Sequence, residues 1–401
     1  GFGCVGQGLW DVISKTKGIK ADIKKICVKD REKQRPVDSS YFTFDKNELL
    51  SDPEIDVIVE LIDNADDAYH IVKTALQNGK GVVSANKKLI ANHLEELLEL
   101  QRIHNVPFLY EASCCASIPI IRNFEEYYDN DLLQSLKGIV NGSTNYILTK
   151  TFRDNLSYAD ALTEAQEKGY AESDPSLDVE GFDAKYKLTI LVAHAFGIIA
   201  RPEQIHHLGI SRIGALELQY AREKNLKIKL VAHAAKINDN EVCAFVIPEF
   251  ISSDNKLYNV DDVYNGVELE TSFADKQFFS GKGAGSHPTA SAVLSDISAL
   301  SYNYRYEYKK LSQNQYILSD NVTLEVLVRY SKKEDVKTSD FETISESYSS
   351  LNQHYLIGKI NLGKLFKSQW AKNPYVSIIA TANNILTSTK KSLKIAEPAL
   401  Q

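Results

Sequence analysis

Methionine is absent from the 401 residues, where average usage would supply roughly eight. Leucine and isoleucine are plentiful, so the gap reads as methionines left out of the chain as written. Spacings are then lower limits, and a chain that opens at Gly1 inside a glycine turn carries the expectation of a strand ahead of it. No basic run exceeds a few residues and the formal net charge is -7, which argues against a surface for nucleic acid or anionic membrane. No apolar stretch reaches the roughly 18 residues that a membrane-spanning helix needs. The cysteines (Cys4, Cys27, Cys114, Cys115 and Cys243) are odd in number and lack CxxC spacing. That excludes a disulfide framework and points to a reducing, cytoplasmic location. His93, His104, His206 and His207 lack metal-ligand spacing, and neither HExxH nor GxSxG occurs, so zinc-peptidase and α/β-hydrolase chemistry are set aside.

What is present is ordinary in bulk: 43% hydrophobic and 25% charged residues, in a length that makes two or three domains at roughly 100–200 residues each. A turn Gly1-Phe2-Gly3-Cys4-Val5-Gly6 runs into an amphipathic stretch with Leu9, Val12 and Ile13. β-like residues 23–28 follow, then a polar loop, a helix-like 47–50 and an apolar strand over 57–62. A helix over 66–77 ends at Asn78-Gly79, and strand 81–84, helix 92–103 and strand 107–110 continue the alternation. Such alternation predicts an α/β, Rossmann-like, doubly wound parallel sheet. From residue 113 the texture becomes α+β, with a capping box at 157–160, a long helix over 183–196 ended by Gly197, and strand-like runs over 226–236 and 242–247. Residues 281–300 form a second glycine-rich turn and helix. Beyond 310, β-like 322–330, helix-like 341–349 and β-like 355–360 and 375–380 read as a small separate module.

Glycines at the Gly1, Gly3 and Gly6 spacing are weak evidence alone. Their context strengthens them, because a helix follows at once and Lys29-Asp30 closes the next strand about where a ribose contact belongs. Backbone amides reach a pyrophosphate only where no Cβ intervenes, and the helix N-terminus adds partial positive charge. Lys29 either favours the 2′-phosphate of NADP or stands solvated. The second cluster is Glu172, Asp174, Asp178, Glu180, Asp183 and Lys187, which lacks the ligand order and glycine of a calcium loop. Asp183 and Lys187, four apart, share a helix face beside the buried stripe Ala184, Leu188, Leu191, Val192 and Ala195. Lys187 is then either a snorkelling lysine or a partly buried ammonium that moves a proton or holds a carboxylate.

The run Asn141-Gly-Ser-Thr-Asn145-Tyr-Ile-Leu, then Glu164-Ala-Gln-Glu-Lys-Gly-Tyr-Ala-Glu172-Ser-Asp-Pro-Ser-Leu-Asp178-Val-Glu-Gly-Phe-Asp183-Ala-Lys-Tyr-Lys187-Leu, closely resembles the signature of homoserine dehydrogenase. So do Ser84-Ala-Asn-Lys87-Lys88, Glu111-Ala112 leading to Ile118-Pro119-Ile120-Ile121, and Gly283-Ala-Gly285 followed by Pro288-Thr-Ala-Ser-Ala-Val, in family order across about residues 1–300. The resemblance implies reversible NAD(P)H-dependent reduction of L-aspartate 4-semialdehyde to L-homoserine, on the branch towards threonine and methionine. It implies Lys187 and Lys87 as the catalytic lysines, leaving open which moves the proton, with Asp183 in support and Glu172 and Asp178 binding substrate. It implies cofactor contacts, for NADP slightly ahead of NAD, from Phe2, Gly3, Cys4, Val5, Gly6, Lys29, Ala65, Lys87 and Gly283. The backbone carbonyls of Glu111, Cys114, Ala116 and Ile118 match a monovalent cation site, for Na+ or K+.

The corresponding domains are 1–112 for NAD(P), rejoined by 281–310, then 113–280 for substrate and dimerisation, and 311–401 as an ACT-like module with threonine as feedback effector. Residues 320–401 have a compatible rhythm but no Asp-x-Pro-Gly turn. Ser113-Cys-Cys-Ala-Ser117 stands where the family has a valine and several glycines, and Asp63-Asn64 replaces a Gly-Gly pair. A homodimer through the middle domain is expected, since the apolar runs over 226–235 and 242–247 exceed what a sheet covered on one face needs. Two rival readings are a catalytically silent NAD(P)-binding regulator and a different Rossmann oxidoreductase of amino-acid metabolism.

Overall fold

The computed structural model describes residues 1–19, 21–313, 316–351 and 353–382. After the helix Cys4–Lys15, the strands Val57–Glu60, Gly81–Ser84 and Phe108–Leu109 form a parallel ladder with Val82 and Val83 fully buried. Parallel neighbours need long crossovers, here the helices Ala65–Gln77 and Lys87–His104. The second of these starts five residues earlier than the apolar period predicts. Asn86 Oδ1 accepts the Leu89 N–H at 3.0 Å and sets the start there, so that Lys87 becomes the first helical residue. The strand expected over 23–28 is only Ile26–Cys27, parallel to Phe42–Thr43, while the Lys24 and Lys25 side chains reach Glu54 and the Ser40 carbonyl.

The helix Ser286–Leu300 returns to this domain. A Cβ on Gly8 would lie 2.5 Å from Ser286 Oγ, which donates to the Cys4 carbonyl at 2.7 Å. Only a glycine at position 8 lets the two helices approach so closely.

The second sheet runs, from one edge to the other, Lys276–Lys282, Tyr264–Thr271, Leu133–Ile139, Leu226–Lys236, Glu241–Ser252, Ser377–Ala380, Thr323–Tyr330, His354–Asn361 and Thr343–Ser349. Its centre is the antiparallel pair from Leu226 opposite Ser252 to Lys236 opposite Val242. The helices Gly142–Arg153 and Phe182–Phe196 pack on it. The strands beyond residue 311 do not stand apart: Ala380 pairs with Glu249, and Cys243, Phe245 and Ile247 share a core with Leu324, Val326, Val328 and Ile378. The apolar run over 242–247 is therefore covered within one chain. Val231 in its partner strand is buried by Ile139, Ile251, Leu257 and Val260.

Residues 341–349, expected as a helix, are instead the strand Thr343–Ser349. All seven of its residues are exposed, so no apolar stripe was available to anchor a helix. Its β-branched, aromatic and serine residues gain a ladder with His354–Asn361 instead. Residues 383–401 of the expected ACT-like module lie outside the described residues.

If the C-terminal strands are one cooperative unit with the central sheet, Phe245→Ala should lower stability by about 3–5 kcal/mol, the usual loss for a buried Phe. The check is urea unfolding in a Trp10→Phe background, so that Trp370 alone reports. Its emission and far-UV circular dichroism should then shift together in a single transition.

Candidate active site

The helix Phe182–Phe196 opens at Gly181 (φ 85°) and closes at Gly197 (φ 70°). Its first turn presents Asp183 and Lys187 on one face, with Lys187 Nζ 2.7 Å from Asp183 Oδ2. Lys187 also donates to the Val140 carbonyl at 2.7 Å. From the other half of the molecule, the first residue of Lys87–His104 sets its ammonium 2.8 Å from Asp183 Oδ1. The Asp183 side chain is 4% exposed, that of Lys187 9% and that of Lys87 40%. Two cations from separate domains thus meet one buried anion.

Asn141 fastens the arrangement. As N-cap of Gly142–Arg153 its Oδ1 accepts the Thr144 N–H at 2.8 Å, while its Nδ2 donates to Asp183 Oδ2 at 2.8 Å and to Asp178 Oδ1 at 2.7 Å. Sequence reading placed Asn141 in a motif without a role. The available signal was an Asn just ahead of an amphipathic stretch, the N-cap pattern. Burial works to raise the Asp183 carboxyl, but the Lys187 and Lys87 ammonium groups outweigh it and hold the group well below the carboxylate range. Asp183 in turn raises Lys87. Asp178 shifts the other way, raised first by burial and then by the charge of Asp183. Glu172 is not brought into this cluster: it is exposed, and its backbone carbonyl accepts from Gln166 Nε2 at 2.9 Å.

A second group of residues surrounds the glycine turn. A Cβ on Gly6 would lie 2.4 Å from the Gly1 carbonyl oxygen, so the turn closes only with glycine there. Gly3 supplies no side-chain cap, and among the described residues no backbone acceptor meets the Cys4, Val5 and Gly6 amides. These uncapped donors at a helix N-terminus fit the pyrophosphate of a dinucleotide. Phe2 packs edge-on against Phe42, with ring centroids 5.4 Å apart. Lys29 is well exposed and pairs at 2.9 Å with Asp67, in the first turn of the helix that Ala65 begins. Gly283 follows the strand Lys276–Lys282, and a Cβ there would sit 2.1 Å from Asn265 Cγ.

The loop between the two groups carries the four carbonyls. Those of Glu111 and Ile118 accept from the Cys114 and Ile120 amides at 3.2 and 2.8 Å, whereas those of Cys114 and Ala116 receive no donor among the described residues. Cys115 and Ala116 have φ of 54° and 37°, the left-handed region that glycine adopts without strain. No group of three or more His, Cys, Asp or Glu is placed to hold a metal ion, and no helix is long and apolar enough to cross a membrane, among the described residues.

The Glu111 side chain accepts from the Ile121 and Arg122 amides at 2.9 and 2.8 Å, and Asp296 Oδ2 accepts the Glu111 N–H at 2.9 Å. Burial pushes Glu111 up to about 8 and Asp296 up to about 7. Both groups hold a proton more tightly in the folded chain than in the unfolded one. Their contribution is therefore complete in acid and is lost as pH rises from about 4 to about 8. Urea unfolding should show stability falling between about pH 5 and pH 8, and Asp296→Asn should flatten that fall.

Comparison with known proteins gives one answer throughout. The family models for homoserine dehydrogenase and for the homoserine dehydrogenase NAD binding domain match residues 119–298 and 1–111. Homoserine dehydrogenase of Lactococcus lactis is 37% identical over 308 residues, 74% of this chain and 72% of that protein. That of Bacillus subtilis is 34% identical over 314 residues, covering 76% and 72%. The crystal structure of a homoserine dehydrogenase from Thiobacillus denitrificans superposes with a TM-score of 0.83 at 27% identity, over 95% of this chain and 96% of the other. A hyperthermophilic archaeal homoserine dehydrogenase in complex with NADPH gives 0.64 at 27% identity, over 76% and 97%. With its NAD-binding domain, its catalytic domain and these relatives, the chain belongs to the homoserine dehydrogenase family.

Proposed function

We propose that the Lys87, Asp183 and Lys187 cluster is the reacting centre for the NAD(P)H-dependent reduction of L-aspartate 4-semialdehyde to L-homoserine that defines the family. The observation that carries this reading is the shared anion: Asp183 holds two ammonium groups from two domains within hydrogen-bond distance of itself. When bound, the nicotinamide supplies or takes the hydride. The work left to the chain is to stabilise the negative charge that develops on the aldehyde oxygen and then to protonate it.

Lys187 is the proton donor in this assignment. Two of its three N–H bonds are engaged, with Asp183 and with the Val140 carbonyl, which leaves one to point at substrate. Lys87, half-exposed and held by one Asp183 oxygen, adds a second positive charge. Asp178 and Glu172 take the substrate α-ammonium, with Glu172 reaching it only by movement of its exposed loop. The Cys4, Val5 and Gly6 amides hold the pyrophosphate, with Phe2, Gly3, Ala65 and Gly283 lining its path and Lys29 favouring NADP over NAD. A Na+ or K+ ion belongs among the carbonyls of Glu111, Cys114, Ala116 and Ile118, two of which lack donors.

The protein is proposed to work in the cytoplasm, consistent with five free cysteines and a pyridine-nucleotide reaction. L-Threonine is the proposed effector. A cavity of about 330 Å³ beside the C-terminal strand Ser377–Ala380 is lined by Glu180 and Arg212, opposite charges that suit an α-amino acid. A homodimer through the middle domain's sheet is proposed on the family resemblance alone, since the apolar runs over 226–235 and 242–247 are covered within one chain. The unpaired edge strand Thr343–Ser349, with Ile344 and Tyr348 exposed, offers a further contact.

Oxidation of NADPH or NADH by aspartate semialdehyde, followed by absorbance, should exceed a control without enzyme. Lys187→Ala and Lys87→Ala should each lower kcat by at least about a hundredfold, with cofactor affinity little changed in the Lys187 variant. A Lys187→Ala enzyme with unaltered kcat would show that another group moves the proton. Light scattering at micromolar concentration should return twice the chain mass, and a monomer mass defeats the dimer.

A further inference from the structure

Asn265 is the second residue of the strand Tyr264–Thr271, opposite Gly281 on Lys276–Lys282. It is fully buried, and neither Nδ2 nor Oδ1 has a hydrogen-bond partner among the described residues. Leaving both ends of a buried carboxamide unmade is unfavourable for a folded chain, and each such group asks for an explanation. Its surroundings supply one. On one side the carboxamide abuts Gly283, where a Cβ would come within 2.1 Å of both its Cγ and its Nδ2. On the other it lies beside the Cys115 thiol, which burial raises to about 11 against the pull of Lys187 and of Asn265 itself. The thiol makes no hydrogen bond that satisfies the amide. Asn265 therefore stands between the glycine turn at 283 and the loop at Cys115, whose neighbour Cys114 reaches the Lys187 carbonyl with its Sγ at 3.8 Å.

A primary carboxamide presents one acceptor and two donors, and so does the 3-carboxamide of nicotinamide. The two pair head to tail through two N–H···O bonds. We propose that Asn265 is a cofactor-positioning contact, whose carboxamide binds the carboxamide of the nicotinamide and fixes which face of the ring meets the substrate. This rests on the reading of the glycine turns as a dinucleotide site. In the ligand-free chain Gly283 and Cys115 cover the amide. Gly283 has no side chain, so only backbone stands between the carboxamide and that turn.

The test measures binding, not turnover, by calorimetric titration of NAD+ and NADP+, each against its 3-acetylpyridine analogue, in which the amide donors are replaced by a methyl group. The unaltered protein should bind the carboxamide cofactor several-fold more tightly than the analogue. Asn265→Ala and Asn265→Leu should bind the natural cofactor about tenfold more weakly, roughly the worth of two neutral hydrogen bonds, and should no longer discriminate between the two. Asn265→Leu should also raise the Tm of the ligand-free protein, because it removes an unsatisfied buried polar group of similar volume. A residue that only held the fold together would lower it. Discrimination retained in both variants, or a Tm that falls with unchanged cofactor affinity, overturns the assignment while leaving the cofactor site standing. Failure of the unaltered protein to bind any of these dinucleotides overturns the cofactor reading together with it.

Discussion

Taking the Asp183 carboxylate out of water costs several kcal/mol unless opposite charge meets it at contact distance, and no single helix supplies enough. Lys187 answers from one turn further along the same helix. Lys87 answers from the first residue of a helix in the cofactor domain. The ion triad therefore ties two parts of the chain together, and removing either lysine leaves a buried anion short of compensation. Asn141 makes this a designed geometry by capping its own helix with one amide atom and spanning Asp178 and Asp183 with the other.

The far end of the site helix is secured with similar economy. His194, in its last turn, bonds Glu125 through Nδ1 at 2.6 Å and the Tyr110 hydroxyl through Nε2 at 2.8 Å. Tyr110 follows the last strand of the cofactor domain's parallel ladder and also meets the Tyr308 hydroxyl at 2.9 Å. Lys310 closes the set by donating to the His194 carbonyl at 2.9 Å. A helix tied at both ends to residues of the other domain holds its register against that domain. Hydride transfer demands this, since misplacement by about 1 Å can lower the rate a hundredfold.

How much of this was legible depended on whether a local pattern decided the outcome. Asp183 and Lys187 could be placed on one face because a helix repeats every 3.6 residues, and the ends of the helices Ala65–Gln77 and Phe182–Phe196 announced themselves through Asn78-Gly79 and Gly197. The opposition of Lys87 to Asp183 could not be read from spacing, because the two residues are far apart in sequence and only packing brings them together. The family resemblance put both residues in one site without pairing them. The strand Thr343–Ser349 was misread for a related reason: an exposed segment has no burial pattern, and what decides its state is the partner His354–Asn361. Asn265 was invisible because its meaning lies in what it lacks, a partner, and a sequence does not show unmade bonds. That the strands beyond 311 continue the central sheet was likewise visible only through pairing, with Ala380 opposite Glu249.

The segment Ser113–Ser117 follows a strained path. Cys115 and Ala116 keep left-handed dihedrals, at a cost of order 1–3 kcal/mol each. A loop free to relax would have moved to a conformation its side chains prefer. It is held from three directions: Cys114 and Cys115 are buried, Cys114 Sγ reaches the Lys187 carbonyl at 3.8 Å, and the Ser117 hydroxyl and amide both bond the Lys282 carbonyl. These contacts join the loop to the helix Phe182–Phe196 on one side and to the Gly283 turn on the other. The backbone path is thus held by its neighbours against the preference of its own side chains. The unpartnered carbonyls of Cys114 and Ala116 follow from that path and not from side-chain identity, so substitution at these positions alters the strain in the loop without altering which acceptors it presents.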